Sequence, residues 1–336
     1  MKILVTGGAG FIGSHTVVEL HNAGFESIIL DNFSNSEKKA LSGIEAIIGK
    51  PVKYYEADIN EASTWDTIFT EQKIDGIIHF AAAKAVGESV AKPLKYYRNN
   101  IAATVLMLEK MMEHGVNNLV FSSSCTVYGE PDALPVTENS AVKPATSPYG
   151  NTKQVCEVII KDTVSSTQHF HAISLRYFNP IGAHESCLIG ELPLGVPANL
   201  VPFLTQSVAG IRGQLAVYGS DYPTSDGTAI RDYIHVVDLA KAHVSALNLL
   251  LKQPEGNYYD FFNIGTGTGS SVLEVITAFE EATNLKVDYA IKPRRDGDIV
   301  AVYADCTKSK EILGWQTQKS LKEALGDAWN WQKKIS

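Results

Sequence analysis

The chain has 336 residues, of which 45% are hydrophobic and 20% are charged, an ordinary composition for one large globular domain or two smaller ones. The formal net charge is −8 and no run of Lys and Arg forms a stripe, so nucleic acid and anionic membrane surfaces are poor partner candidates. The sequence shows no signal peptide and no apolar run long enough to cross a bilayer. Its four scattered cysteines lack metal-ligand spacing, so we expect no metal, buried reduced thiols and a cytoplasmic location.

Strand-like and helix-like segments alternate through the first half of the chain, which predicts a parallel sheet with helices on both faces. The predicted strands are Lys2–Thr6, Ser27–Leu30, Val52–Tyr55, Gly76–Phe80 and Asn118–Phe121. The predicted helices are Phe11–Asn22, about Glu61–Gln72 and a long segment, Pro93–His114. The expected fold class is therefore α/β, a Rossmann-type doubly wound parallel sheet.

From Asn179 onwards the chain is rich in Gly and Pro and has short elements, which predicts a smaller mixed α/β substrate-binding domain. We expect residues 1–178 to form the cofactor domain and 179–336 mainly the substrate domain. The two are interleaved, because Ile173–Tyr177 and Phe261–Ile264 both have the pattern of buried strands, and residues of about 231–265 return to the first domain. A cleft at the carboxyl ends of the strands is the expected ligand site.

A glycine-rich turn follows the first predicted strand. Gly7 permits a tight turn, Gly10 lets the backbone approach a pyrophosphate, and Gly13 lets the following helix pack closely on the strand. Asp31 ends the second strand at the offset expected for a carboxylate that binds the ribose diol. A carboxylate there repels a 2′-phosphate, so the pattern predicts NAD as the cofactor in preference to NADP.

Tyr149 and Lys153 are spaced four residues apart at the start of a predicted helix and therefore share one face. A nearby ammonium favours the ionised phenol, so we expect the pKa of Tyr149 to fall towards neutrality and its hydroxyl to serve as a proton shuttle. Ser124 follows the fifth strand and could orient a substrate hydroxyl, although the chemistry alone does not choose among the three serines Ser122–Ser124. Asn99 is either a polar brace or a solvated side chain.

These motifs together resemble the extended short-chain dehydrogenase/reductase superfamily, and further motifs resemble its UDP-glucose 4-epimerase family from Met1 to about Trp331. The motifs that narrow the resemblance are Arg176-Tyr-Phe-Asn-Pro-Ile-Gly182, Asn199-Leu-Val-Pro202, Tyr218 to Thr228 and Arg231-Asp-Tyr-Ile-His-Val-Val-Asp-Leu-Ala240.

The resemblance implies roles for individual residues. NAD would be held by Gly7, Gly10, Phe11, Ile12, Gly13, Asp31, Asn32, Ser34, Asn35, Ser36, Asp58, Ile59, Phe80, Ala81, Ala82, Lys84, Asn99, Ser124, Tyr149, Lys153 and Phe178. The UDP-hexose substrate would be held by Ser124, Thr126, Tyr149, Asn179, Asn199, Leu200, Ala216, Tyr218, Arg231, Tyr233, Arg295, Asp298 and Val302. Arg231 and Arg295 could clamp a diphosphate, since guanidinium groups bind it in bidentate fashion. A homodimer through the helices near Pro93–His114 and Tyr149–Val164 is also implied.

In the implied reaction Tyr149 accepts the proton of the sugar 4-hydroxyl while NAD accepts the hydride of C4, and the 4-keto sugar rotates before both return. A nucleotide-sugar 4,6-dehydratase is a rival, but Cys125 and Thr126 follow Ser124 where the similar dehydratases have Asp and Glu. A UDP-glucuronate 4-epimerase and a non-catalytic NAD-binding regulatory protein are the remaining alternatives.

Val302 occupies the position at which some members of the family have a tyrosine that closes the sugar pocket. The smaller valine predicts that UDP-GlcNAc and UDP-GalNAc are accepted as well. The alternative is that Val302 belongs to the core and that Tyr303 fills the space.

Overall fold

The computed structural model describes residues 1–295 and 297–336. Its strands are β1 (Lys2–Thr6), β2 (Glu26–Asp31), β3 (Lys53–Glu56), β4 (Gly76–His79), β5 (Asn118–Ser122), β6 (His171–Tyr177), β7 (Asn179–Ile181), β8 (Leu215–Tyr218), β9 (Ile230–Arg231), β10 (Tyr233–His235), β11 (Tyr258–Ile264), β12 (Ser270–Ser271), β13 (Tyr289–Lys292) and β14 (Ala301–Val302).

The α-helices cover both faces of the main sheet and build much of the second half. They are α1 (Phe11–Asn22), α2 (Lys39–Ile48), α3 (Ala62–Glu71), α4 (Val86–Ala91), α5 (Pro93–Tyr96), α6 (Ala103–Glu113), α7 (Pro148–Ser166), α8 (Leu200–Val208), α9 (Val236–Leu250), α10 (Val272–Thr283), α11 (Thr307–Leu313) and α12 (Leu321–Ile335). No helix of the described residues is long and apolar enough to cross a membrane.

The main sheet contains seven parallel strands in the order β11-β6-β5-β4-β1-β2-β3, which confirms the predicted fold class. Successive residues of a strand point to opposite faces, and both faces are buried here. In β1, Ile3 and Val5 enter one core cluster, while Leu4 enters the cluster on the other face. The strand order reverses between β1 and β4, and the carboxyl ends of these two strands therefore border a crevice.

The second half forms small sheets around a third core cluster. β8 pairs with β13, β7 pairs with β10, and β9 lies between β12 and β14. The predicted return of the chain to the main sheet also occurs, since β11 pairs with β6 in register from Tyr258 opposite His171 to Ile264 opposite Tyr177.

Three local features differ from the sequence prediction. The long helix expected over Pro93–His114 contains a π-helical segment, Tyr97–Ala102, between α5 and α6. Such a segment inserts an extra residue and re-aims the side chains around it. The helix α2 was not predicted. Among the four free cysteines Cys156 is buried, whereas Cys125, Cys187 and Cys306 are partly exposed, so the expectation of uniformly buried thiols was wrong.

Candidate active site

The glycine turn between β1 and α1 forms one wall of the crevice. Gly7 has a φ of +69°, and a Cβ atom there would lie 2.9 Å from the backbone nitrogen of Ala81 at the end of β4. A side chain at Gly13 would run into the carbonyl of Gly7. Gly10 is the N-cap of α1, with Phe11 and Ile12 partly exposed in the first turn. The turn therefore leaves backbone rather than side chains at the helix N-terminus, where anions bind.

Asp31 ties the glycine turn to the loop after β2. Its Oδ2 accepts a hydrogen bond from the Ala9 nitrogen at 3.0 Å, and its Oδ1 accepts from the Phe33 nitrogen at 2.9 Å and the Ser36 hydroxyl at 2.8 Å. The carboxylate is buried, yet its Oδ2 retains accepting capacity because a carboxylate oxygen can take two hydrogen bonds.

A polar loop continues from Asp31 along the sheet. Asn32 donates from Nδ2 to Asp58 at 3.1 Å and accepts from the Ser34 hydroxyl at 2.7 Å, while Asn35 is exposed beside them. Ile59 differs from its predicted neighbours because its side chain is buried in the core. Its backbone carbonyl accepts a hydrogen bond from the indole nitrogen of Trp65 at 2.9 Å.

The segment after β4 forms the opposite wall. The Phe80 ring packs 4.6 Å from that of His243, and the Ala81 nitrogen donates to the Thr6 hydroxyl at 3.3 Å. The Thr6 hydroxyl also forms a hydrogen bond with Nδ1 of His79 at 2.8 Å. His79 is buried and was not among the residues predicted from the sequence. Ala82 is partly exposed and Lys84 is exposed.

Asn100, rather than Asn99, braces this wall. Its Oδ1 accepts from the Ala83 nitrogen at 2.9 Å, and its Nδ2 donates to the Ala83 carbonyl and to the Thr152 hydroxyl, both at 3.0 Å. Asn99 is half-buried and donates to Asn100 at 3.1 Å. Both asparagines lie in the π-helical segment, and because their partners are distant in the chain the sequence carried no signal to separate them.

The three serines after β5 make different contacts. The Ser122 carbonyl accepts from the Lys153 ammonium at 2.6 Å, and the Ser122 hydroxyl bonds the Tyr177 hydroxyl. The Ser123 hydroxyl donates to Glu157 at 2.5 Å. Both Ser122 and Ser123 are therefore engaged with the protein.

Ser124 is the serine whose contacts remain within the site. Its hydroxyl oxygen accepts from the Thr126 nitrogen at 3.2 Å and from the Thr126 hydroxyl at 3.0 Å. Ser124 acts to lower the pKa of Tyr149, against the larger rise that burial and Tyr177 cause. Which of the three serines is functional stays a prediction, although Ser122 and Ser123 have partners outside this pair. We call Ser124, Tyr149 and Lys153 the catalytic cluster.

Tyr149 and Lys153 lie on one face of α7, as predicted, with the ammonium 6.0 Å from the centroid of the Tyr149 ring and 4.8 Å from that of Phe121. Burial nevertheless raises the pKa of Tyr149, and the nearby Tyr177 adds to this rise. The expectation of a pKa near neutrality was therefore wrong for the protein alone. Lys153 is itself buried, which lowers its pKa to about 8, and its ammonium is bonded to the backbone. For the pKa of Tyr149, the cost of removing the phenolate from water therefore outweighs the favourable effect of the Lys153 ammonium.

Two arginines lie on or beside the small sheets of the second half. Arg231 in β9 forms an ion pair with Asp298, and its Nη1 donates to the Ile230 carbonyl at 2.8 Å. The guanidinium of Arg295 lies 4.0 Å from the ring centroid of Tyr218. We call Tyr218, Arg231, Arg295 and Asp298 the cationic cluster.

The remaining predicted substrate residues lie on several elements of the second half, and the structure does not bring all of them into contact with this cluster. The Asn179 nitrogen donates to the Asp232 carbonyl, and burial raises the pKa of Tyr233 to about 12. Asn199, the N-cap of α8, donates from Nδ2 to Glu191 at 3.3 Å. Leu200 opens α8, and Ala216 lies in β8.

Val302 is 4% exposed and belongs to the same core cluster as Phe178. It pairs with Arg231 across β14 and β9. Tyr303 does not share this position, because its ring lies against Gly269, where an added Cβ would be 2.9 Å from the Tyr303 Cδ1. Val302 therefore belongs to the core, as the alternative held, whereas Tyr303 does not fill the space beside it.

Comparisons with known proteins agree with this architecture. A profile of the GDP-mannose 4,6 dehydratase family matches residues 4–328. UDP-glucose 4-epimerase of Bacillus subtilis is 50% identical over 332 residues, which are 99% of this chain and 97% of that protein. The chain belongs to the UDP-glucose 4-epimerase family.

Two solved structures are similar over nearly their whole length. UDP-glucose 4-epimerase of Bifidobacterium longum, in complex with NAD+ and UDP, has a TM-score of 0.95 and 48% identity, with 99% of this chain and 98% of that chain covered. The UDP-Glc/GlcNAc 4-epimerase of Campylobacter jejuni has a TM-score of 0.84 and 36% identity, with 99% of each chain covered.

Proposed function

We propose that this protein is an NAD-dependent isomerase that interconverts UDP-glucose and UDP-galactose by inversion at C4. The observation that carries the proposal is the arrangement of Ser124, Tyr149 and Lys153 at the carboxyl edge of the main sheet, beside the crevice formed by the glycine turn. The 50% identity to UDP-glucose 4-epimerase of Bacillus subtilis over almost the whole chain supports it.

The residues around the crevice fit NAD. The open turn at Gly7–Gly13 suits a pyrophosphate at the N-terminus of α1, and Asp31 has accepting capacity for a ribose hydroxyl. NAD held by the glycine turn and Asp31 would supply the hydride acceptor, and later the hydride donor, for C4. Replacement of Asp31 by Ala is expected to reduce the preference for NAD over NADP, measured by reconstitution of cofactor-free protein with each dinucleotide. An unchanged preference would remove Asp31 from this role.

The side chains of the catalytic cluster divide the proton chemistry among them. Tyr149 takes the proton from the sugar 4-hydroxyl, and Ser124 hydrogen-bonds that oxygen as charge develops on it. Lys153 supplies a positive charge on the same helix face, which stabilises the phenolate form of Tyr149. Because the phenol's pKa is raised in the protein alone, we infer that further positive charge at the site contributes to its ionisation when the cofactor binds.

The substrate would be anchored by its nucleotide. Arg231 and Arg295 hold the diphosphate, residues 179–336 supply most of the UDP contacts, and the hexose stays free to turn between the two half-reactions. This division fits the loose sugar contacts and tight diphosphate contacts that C4 inversion requires. The rival 4,6-dehydratase reaction lacks its acid and base here, because Cys125 and Thr126 occupy the positions of the two carboxylates.

The function can be tested directly. Mass spectrometry of the purified protein under denaturing conditions should release NAD, and the protein should convert UDP-galactose to UDP-glucose without added cofactor. Turnover of UDP-glucuronate but not of UDP-galactose would support the uronate alternative, and bound NAD without any turnover would support a regulatory protein.

A second substrate pair is favoured by Val302. Val302 is smaller than the tyrosine that some members of the family have at this position, although its side chain is buried, and the similar protein of Campylobacter jejuni is described as a UDP-Glc/GlcNAc 4-epimerase. We therefore include UDP-GlcNAc and UDP-GalNAc among the proposed substrates.

We further propose that the protein acts as a cytoplasmic homodimer. Large apolar side chains are exposed on α4, α5 and α7, among them Val90 at 64%, Leu94 at 80% and Val158 at 58%. Burial of these side chains against a second copy would remove them from water. Light scattering should give twice the monomer mass, and the double substitution Leu94→Glu with Val158→Glu should give monomers if this face forms the dimer.

A further inference from the structure

Glu157 forms a buried ion pair directly behind the catalytic cluster. Arg176 of β6 donates to it from Nε at 2.9 Å and from Nη2 at 2.5 Å, and both side chains are almost completely buried, with 5% and 8% exposure. The guanidinium is sandwiched by aromatic rings, 4.8 Å from the centroid of Tyr128 and 4.0 Å from that of Phe261. A buried pair of this kind is costly to assemble and is weak as a stabilising device, so its location calls for a further role.

The position of Glu157 on α7 links this pair to the chemistry. Tyr149, Lys153 and Glu157 are spaced by four residues and share one helix face. Glu157 also accepts from Ser123 at 2.5 Å, and Ser123 is the residue directly before Ser124. One carboxylate thus joins α7, β6 and the segment that carries Ser124.

We propose that Glu157 is a positioning residue that anchors α7 against β5 and β6 and acts as the countercharge that keeps Lys153 cationic. The proposal rests on the proposed function, since it deepens the account of the same site. Burial lowers the pKa of Lys153, whereas the neighbouring Cys156 and then Glu157 act to raise it.

The other groups around Lys153 do not replace that countercharge. His79 of β4 is neutral, because burial lowers its pKa to about 3. The groups contributed by β5 and β6 are the Phe121 ring, the Ser122 carbonyl, Arg176 and Tyr177, and those of α7 are Tyr149, Cys156 and Glu157. Burial raises the pKa of the Cys156 thiol and raises that of Tyr177 to about 12. Among these groups Glu157 is therefore the carboxylate, and it lies one helical turn from Lys153 on α7 while it is paired with Arg176.

The test uses the holoenzyme with Glu157→Gln, which keeps the side-chain shape and removes the charge. We expect the alkaline limb of the kcat–pH profile to move about one pH unit towards acid, since a neighbouring opposite charge shifts a pKa by roughly 1–3 units. The KM for UDP-galactose should stay within about twofold of the wild-type value, because Glu157 is on α7 and does not belong to the cationic cluster that is proposed to hold the diphosphate. If the alkaline limb of Glu157→Gln lies at the same pH as that of the wild type, the countercharge role is overturned, even if activity and melting temperature both fall.

Removal of one partner of a buried pair can prevent folding, so Glu157→Gln combined with Arg176→Met is the second variant. The double variant leaves no unpaired charge. The alkaline limb of its kcat–pH profile should move in the same direction as that of Glu157→Gln, by a smaller amount.

The anchoring role is tested by Ser123→Ala, which should lower kcat at least fivefold more than Ser174→Ala. Ser174 is a matched control, because it is a buried serine on β6 that bonds Tyr259 at 3.3 Å. Equal effects of the two truncations would overturn the anchoring role.

A measurement independent of turnover separates this proposal from the proposed function. The lysine side-chain resonance of Lys153 in ¹⁵N-labelled protein, assigned by its loss in Lys153→Met, should titrate at lower pH in Glu157→Gln than in the wild type. Wild-type protein without epimerase turnover would contradict the proposed function, while this titration would still decide the role of Glu157.

Discussion

The catalytic cluster and the cationic cluster hold their charged groups in different ways. In the catalytic cluster Lys153 is 3% exposed and is fixed by a backbone carbonyl at 2.6 Å. In the cationic cluster Arg231 pairs with Asp298, whose side chain is 27% exposed, and Arg295 rests on an aromatic ring. The charged group of the first cluster is held by the backbone, whereas Arg231 of the second would have to exchange its contact with Asp298 to bind the proposed diphosphate. We expect substitutions in the first cluster to change kcat and those in the second to change KM.

The largest expected effect in this comparison follows Tyr149→Phe. Loss of a positioned acid–base group should lower kcat by about 10²–10⁴ while bound NAD and the fold are retained. Tyr97→Phe is a suitable control, because the Tyr97 hydroxyl only accepts from Asn151 at 3.0 Å. Turnover of Tyr149→Phe close to that of the wild type would remove Tyr149 from the role of base.

Arg231→Gln should act mainly on KM. A charge-assisted hydrogen bond contributes about 1.5–3 kcal/mol, so we expect KM for UDP-galactose to rise by roughly 10–100-fold with little change in kcat. Arg294→Gln is the matched control, since Arg294 pairs with the exposed Asp221 and packs 4.0 Å from the Tyr222 ring centroid. A fall in kcat at unchanged KM would mean that the two clusters are not distinct.

Acid should destabilise the core behind the catalytic cluster. His79 has a folded-state pKa lowered by burial from 6.5 to about 3, so the unfolded chain binds more protons between these values. Stability is therefore fully present above pH 6.5 and is lost as the pH falls towards 3, by up to about 3 kcal/mol from this residue at pH 4. Urea unfolding at pH 7 and pH 4.5 checks this. The variant His79→Phe should lose less stability between the two pH values than the wild type, and an equal loss would contradict the prediction.

The smallest expected effect concerns the sugar pocket between the clusters. Val302→Tyr should reduce turnover of UDP-GalNAc by about tenfold or more through steric overlap, while UDP-galactose turnover is largely kept. The UDP-galactose assay on the same preparation is the control for folding. Wild-type protein that rejects UDP-GalNAc, or a variant that accepts it equally well, would contradict the role of Val302 as a gate.

The sequence by itself determined the Rossmann-type sheet, because apolar strands, amphipathic helices and a glycine turn are local patterns. It also placed Gly7, Asp31, Tyr149 and Lys153 at the ends of the correct elements. The roles of these residues in binding and catalysis stay predictions, although the structure brings their elements to one edge of the sheet.

The tertiary structure alone decided the contacts between distant elements. It assigned different contacts to Ser122 and Ser123, because their partners come from α7 and β6, whereas Ser124 bonds the nearby Thr126. It also gave Asn100 rather than Asn99 the hydrogen bonds to Ala83 and Thr152. It also reversed the expected direction of the Tyr149 pKa shift, since desolvation depends on how deeply a group is buried and the sequence pattern shows only which residues are near in the chain.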